Sequence, residues 1–173
     1  WFTGTHWARF VELITYCQTQ VDVYNQTHVP IIFGVDIPPH FLTGPGSSGQ
    51  VKSGWDVMGV VDTVTLMDYR DFADVRRDGR TDGIIPRAEP FVADGNALGK
   101  PVVIGVELTK NSYYDHVTFF EESAAYMEAE LRKVSRYFAG DWAYRGLAIH
   151  DYAGWKAKAH GRKIYLPLVL RNL

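Results

Sequence analysis

The chain has 173 residues, of which 46% are hydrophobic and 22% charged. That composition fits one domain, or one large piece of a domain, built around a core, and excludes collagenous, coiled-coil and wholly disordered chains. Eighteen basic and 20 acidic side chains leave a net charge of −2, so nothing in the charge balance points to nucleic acid or an anionic membrane. No run approaches the roughly 18 apolar residues needed to cross a bilayer, and the first residues lack the basic-then-apolar plan of a signal peptide. A soluble chain with no membrane span is expected. Cys17, the single cysteine, excludes an internal disulfide and a cysteine-based zinc site.

From Thr5 to about Tyr24, Phe10, Leu13, Ile14, Cys17, Val21 and Tyr24 recur at the three- and four-residue steps of an amphipathic helix. The Cys17 thiol on that stripe reads as packing, since no base lies near it in sequence. After His28 and Pro30, the short apolar run from Ile31 to Val35 ends in Asp36 and reads as a buried strand. The same pattern returns at Val64–Met67 before Asp68, at Val102–Val106 before Glu107, and at Gly146–Ile149 before His150. Trp55–Val61 predicts a short helix, and Ile84–Leu98 a weaker one interrupted by Pro86 and Pro90. Phe119–Phe138 predicts the strongest helix, with Phe120, Ala124, Met127, Leu131, Val134 and Phe138 on one face. Thr118 and Glu121 offer a capping box at its start, and Gly140 a stop at its end.

Strands that are apolar on both faces and alternate with helices describe parallel β/α repeats, so the fold class is α/β. An open doubly wound sheet and a closed barrel both satisfy the pattern. Every strand ends in a polar residue, and in a barrel all those ends converge on one mouth, whereas in an open sheet only those near the switch point do. The barrel is favoured. A complete one needs about 250 residues, so four strands read as half of a TIM (β/α)8 barrel. Residues 1–160 are assigned to this partial barrel and 161–173 to a C-terminal tail or extra strand.

The succession Phe33-Gly34-Val35-Asp36-Ile37-Pro38, Met67-Asp68-Tyr69-Arg70, Gly99 to Glu107 and Gly146 to Trp155 resembles the C-terminal half of a bacterial family of glycoside-hydrolase-like TIM barrels, whose members are mostly uncharacterised. The resemblance covers about Trp7 to Lys156. It implies that these strands are the fifth to eighth of a barrel, that the first four lie upstream of Trp1, and that the family's acidic strand-four motif lies there too. It further implies a carbohydrate substrate outside the cell. Lys163 to Leu173 is also similar to a segment found in exported bacterial proteins, which leans toward an extracellular or cell-surface location. Asn25-Gln26-Thr27 is formally a glycosylation acceptor, a motif that a bacterial source would leave unused.

Glycosidases need two carboxyl groups flanking the scissile bond, one able to stay protonated. Glu107, placed at the mouth above an apolar wall, is the principal catalytic candidate, and Asp36 and Asp68 are the candidates for its partner. Glu107 in a salt bridge with Arg70, and Asp68 as a residue orienting Arg70, are the plainer readings. Tyr69, Arg70, His150, Asp151, Tyr152 and Trp155 suit sugar recognition, because a guanidinium grips hydroxyls or a carboxylate and aromatic rings stack on pyranose faces. A metal site is not expected from His150-Asp151: Asp36 and Asp68, not histidines, close the first two strands, and His40 comes too late. His150 reads better as a histidine hydrogen-bonded to a neighbouring carboxylate.

Gly44-Pro45-Gly46-Ser47-Ser48-Gly49 matches the dinucleotide fingerprint by letter, and Lys52-Ser53 faintly suggests a phosphate loop. Seven residues part the glycines from Asp36, and Gln50-Val51 part Gly49 from Lys52, so no nucleotide or other cofactor is expected. Leu42 to Ser53 reads instead as a mobile loop over the mouth. The charged loop from Asp71 to Gly83 reads as a solvated turn, with binding of an acidic sugar through its arginines as the sharper alternative. Leu108 to His116 contains no glycine, so a phosphate grip is not evident there. Two functions remain open: a glycosidase-like domain, incomplete as an enzyme in this chain, or a non-catalytic domain for glycan binding or surface assembly. In either, the open sheet edges need covering by a missing N-terminal half or by a second copy.

Overall fold

A computed structural model describes residues 3–76 and 78–159. The proposed C-terminal tail, 161–173, lies outside the described residues.

Helix α1 (Gly4–Asn25) starts where the Thr3 hydroxyl accepts from the His6 N–H, the usual N-cap contact. It buries Trp7, Ile14 and Gln18, whereas Leu13 and Tyr24, expected on the buried stripe, are exposed. Gln18 is buried because it is bonded: its amide donates to Asp22 and to Asp62. Asp62 in turn accepts from the Phe33 N–H at 3.0 Å, which ties the helix to the entry of the first strand.

That strand, β1, spans Gly34–Ile37, starting three residues later than expected. The Asn25 side chain occupies the backbone of Ile31, accepting from its N–H at 2.8 Å and donating to its carbonyl at 2.9 Å. With the Ile31 backbone satisfied this way, Ile31 and Ile32 stay exposed rather than entering the sheet. Helix α2 (Gly54–Val60), strand β2 (Thr63–Met67), helix α3 (Ile84–Leu98) and strand β3 (Val102–Glu107) follow.

Helix α3 is continuous despite its prolines. Pro86 lies in the first turn, where an N–H has no helical partner, and only Pro90 is interior. Burial of Ile84, Ala88, Phe91 and Val92 on one stripe offsets that single lost bond. Gly99 ends the helix at φ +64°, a left-handed conformation suited to glycine.

Helix α4 (Ala124–Tyr137) begins five residues later than expected, capped by Ser123 accepting from the Tyr126 N–H. Thr118 does not cap it. Its hydroxyl donates to the carbonyls of Glu107 and Thr109 and accepts from the Phe120 N–H, closing the loop after β3. Strand β4 (Tyr144–His150) and helix α5 (Tyr152–Ala159) complete the described chain.

The sheet is four-stranded, all parallel, in the order β1-β2-β3-β4. A doubly wound sheet would reverse its strand order at a switch point. Here consecutive strands are neighbours throughout, so each right-handed crossover lays its helix on the same face, as in half of a β/α barrel. Val64, Leu66, Val102, Ile104 and Val106 point into that helical layer and are fully buried. Gly34, Asp36, Thr65, Met67, Val103 and Ala148 remain partly open to solvent. Between β3 and β4 the register shifts by one residue, Val102 facing Tyr144 but Ile104 facing Leu147, and Gly146 takes φ +114° there. No helix among the described residues is long and apolar enough to cross a membrane.

Candidate functional site

Side chains alternate between the two faces of a strand. On β2 the buried residues Val64 and Leu66 face the helices, and Asp68 follows in the same phase with no exposed surface. Thr65 and Met67 take the opposite phase, and Tyr69 continues it. The ladder carries that phase across the sheet: Asp36 faces Thr65, Gly105 faces Ala148, and Glu107 faces His150. Asp36, Tyr69, Glu107 and His150 therefore share the open face, with Gly105 and Ala148 one pleat step below Glu107 and His150. Asp68 is aimed at the other side of the sheet, which removes it from the common rim.

Glu107 and His150, at the ends of β3 and the edge strand β4, are in direct contact on that face. One oxygen, Oε2, lies 2.6 Å from His150 Nδ1, while Oε1 accepts from the N–H groups of Leu108 (2.7 Å) and Thr109 (2.6 Å). Burial opposes ionisation, but the hydrogen bonds from Thr109, His150 and Leu108 outweigh it and hold the carboxyl below its usual range. Glu107 is thus a fixed anion, suited to act as nucleophile, base or hydrogen-bond acceptor and unsuited to donate a proton. Its partner is His150, not Arg70. The Tyr69 ring stacks on the His150 imidazole with centroids 5.9 Å apart. Burial, reinforced by the negative charges of Glu107 and Asp36, raises the Tyr69 hydroxyl above its ordinary pKa.

Asp36 is exposed and sits lower on the ladder, since its neighbour Thr65 faces Val103, four residues before Glu107. At about 3.3 Å per residue and 4.8 Å per strand, the Cα atoms of Asp36 and Glu107 are roughly 16 Å apart. That spacing keeps the two carboxylates out of direct contact.

The remaining expected site residues are largely committed elsewhere. Asp68 accepts from Arg87 Nε at 2.7 Å, a residue of α3 that sequence reading passed over, while its other oxygen is buried without a hydrogen-bond partner. Burial, opposed by Arg87, pushes its carboxyl up to about 7. Asp68 does not orient Arg70. The Arg70 guanidinium donates to the Asp82 carboxylate (2.6 Å) and carbonyl and to the Tyr69 carbonyl, so it braces the β2–α3 loop with three of its five N–H groups. Asp151 adopts φ +77° and accepts from the N–H groups of Ala153 and Gly154, which makes it the cap of α5. Trp155 is half-buried, its ring 5.8 Å from that of Tyr152, and Tyr152 is 70% exposed.

Two loops depart from expectation. The glycine-rich segment is pinned rather than mobile: Gly44 N–H donates to Asp94, and Gly49 N–H and the Ser48 hydroxyl donate to Asp56, each at 2.7–2.8 Å. The amides that would cradle a phosphate are already taken by carboxylates, an electrostatic reason against an anion site beyond the spacing argument. This segment packs on the helices, with Phe41 against Trp7 and Gly54 against Phe91, and does not arch over the mouth. The Asp71–Gly83 loop is not simply solvated, because Asp71, Phe72 and Ala73 are buried. Arg76 pairs with Asp71 (3.3 Å), Asp78 and Asp115 (both 3.2 Å), which commits it to structure rather than to an acidic sugar and ties this loop to the one after β3. Burial, against the pull of Arg76, raises the Asp71 carboxyl to about 6.

The chain matches no family model, no curated protein and no solved structure. The geometry of the open face therefore carries the functional reading. Among the described residues, no three His, Cys, Asp or Glu side chains converge as a metal site. Sequence reading also missed Tyr113 and Tyr114, 89% and 61% exposed in the loop after Glu107. The signal was present as two adjacent aromatics among polar residues, directly after a strand end chosen for chemistry.

Proposed function

We propose that this chain is a glycoside-hydrolase-like barrel domain with its carbohydrate site on the open face of the sheet, acting on extracellular glycan. The Glu107–His150 pair, 2.6 Å apart at the C-terminal ends of adjacent parallel strands, carries this reading, because barrel chemistry resides at those ends. Glu107 would serve as the ionised member of a carboxylate pair, His150 would hold it in place, and Tyr69 and Tyr152 would present ring faces to the sugar. Asp36 is the remaining carboxylate on that face. β1 and β4 each leave one edge unpaired within the described sheet, as fits a barrel completed by further β/α units or a second copy.

Glu107 also favours a second reading. Its carboxylate already accepts three hydrogen bonds, from two backbone amides and from His150, an arrangement suited to a non-catalytic glycan-binding domain. Reducing-sugar release from a panel of plant, fungal and bacterial polysaccharides separates the two. Hydrolysis by the wild type that disappears in Glu107→Gln supports the enzyme. Binding without cleavage, weakened in Glu107→Gln, supports the second reading. Turnover unchanged by Glu107→Gln overturns the assignment of this residue.

A further inference from the structure

The loop between β3 and α4 is held at both limbs and presents two unpacked rings. Its first limb starts at Glu107, whose carboxylate receives the Leu108 and Thr109 N–H groups, and Thr118 fastens the base by donating to the Glu107 and Thr109 carbonyls. At the tip, Asn111 Oδ1 accepts from the N–H groups of Tyr113 (2.9 Å) and Tyr114 (3.0 Å). The return limb is locked to the β2–α3 loop: Arg76 donates to Asp115 at 3.2 Å, Asp71 N–H donates to the His116 carbonyl at 3.2 Å, and the Tyr114 ring meets His116 edge-on at 5.8 Å. The backbone of both tyrosines is thus fixed by hydrogen bonds while their rings face solvent. Adjacent aromatic rings left in water forgo favourable burial, and a pre-ordered loop recovers it when a ligand covers them, with little further cost in chain entropy. On the other side of the Glu107–His150 pair, the loop after β4 exposes the ring of Tyr152.

Resting on the carbohydrate reading above, we propose that Tyr113 and Tyr114 form a stacking platform that extends the Glu107–His150 site, so that its ligand is a glycan chain of several units rather than a mono- or disaccharide. Flat aromatic faces suit the apolar faces of successive pyranose rings, and the tip itself, Ser112 to Tyr114, carries no charge that would select a phosphorylated or charged terminus.

Calorimetric titration with the disaccharide and hexasaccharide of the cello-, xylo- and chito-series tests it. The wild type is expected to bind at least one hexasaccharide tenfold or more tighter than its disaccharide. Tyr113→Ala/Tyr114→Ala should abolish the tenfold preference for the hexasaccharide over the disaccharide and leave the melting temperature unchanged, while Tyr113→Phe/Tyr114→Phe keeps the length dependence. A length dependence that survives the double alanine change overturns the platform and leaves the carbohydrate reading standing. Absence of binding by the wild type across all three series overturns both, as does capture of a protein ligand on these tyrosines in place of glycan.

Discussion

Asp68 and Glu107 end neighbouring parallel strands, yet one sheet sends them to opposite environments. Asp68, in phase with Leu66, enters the helical layer, where burial raises its carboxyl to about 7 and Arg87 only partly compensates. Glu107, on the open face, meets two backbone amides and His150, and is held below its usual range. The same residue class at the same end of a strand is thus made a reluctant acid on one face and a fixed anion on the other. The phase of the pleat, more than position at the strand end, decides which carboxylate can serve a site on the open face.

The sharpest way to break this comparison is to hollow the two faces separately. Leu66→Ala, on the helical side, should cost about 2–5 kcal/mol in denaturant unfolding, whereas Thr65→Ala next to it should cost less than about 1 kcal/mol. Equal losses would mean the open face is as tightly packed as the other.

Protonation gives the next largest difference, with opposite signs. Asp68 binds its proton more tightly folded than unfolded, so the stability it contributes is complete below about pH 4 and is lost as pH rises toward 7. Asp71, raised to about 6, acts in the same direction. Asp68→Asn should flatten most of the fall in melting temperature between pH 5 and pH 8, an effect of roughly a few kcal/mol at most, and Asp71 should account for the remainder. Glu107 contributes stability above its unfolded value near 4.5 that is lost as pH falls through its lower folded value. Glu107→Gln should therefore lower stability slightly across the neutral range without changing its pH slope there, and soften the further loss on acidification.

Between these in size stands Asp151→Ala, which removes a cap and places a Cβ-bearing residue without a helpful side chain at φ +77°. It should cost about 1–2 kcal/mol, seen as faster amide exchange in α5, while Asp151→Asn, which tolerates that conformation, should cost less.

The four strands and the parallel α/β class were legible because each strand is written in consecutive residues, an apolar run closed by a polar one. The parity of Asp68 was legible as well, in the alternation Thr63-Val64-Thr65-Leu66, but reading polar ends as equivalent hid it. Other features depended on side-chain partners that periodicity does not register. Asn25 imitates a strand at Ile31, six residues away; Asp82 claims Arg70 across a loop; Asp56 and Asp94 fill the glycine-rich amides. Local patterns carry no record of such pairings, so the glycine loop suggested a ligand whose place was already taken by the protein itself, and the brace Arg70 makes with Asp82 was not visible. Thr118 and Glu121 matched a cap by letter, but the carbonyls of Glu107 and Thr109 compete successfully for the Thr118 hydroxyl.

The extra residue at Arg145-Gly146 has a consequence for how this site can vary. Counted straight from Tyr144 opposite Val102, Glu107 would meet Ile149, and His150 would point among the helices; the irregular step is what turns the imidazole toward the carboxylate. Removing one amino acid there would act as a frameshift in space, leaving every chemical group of the pair in the chain while separating them by the thickness of the sheet.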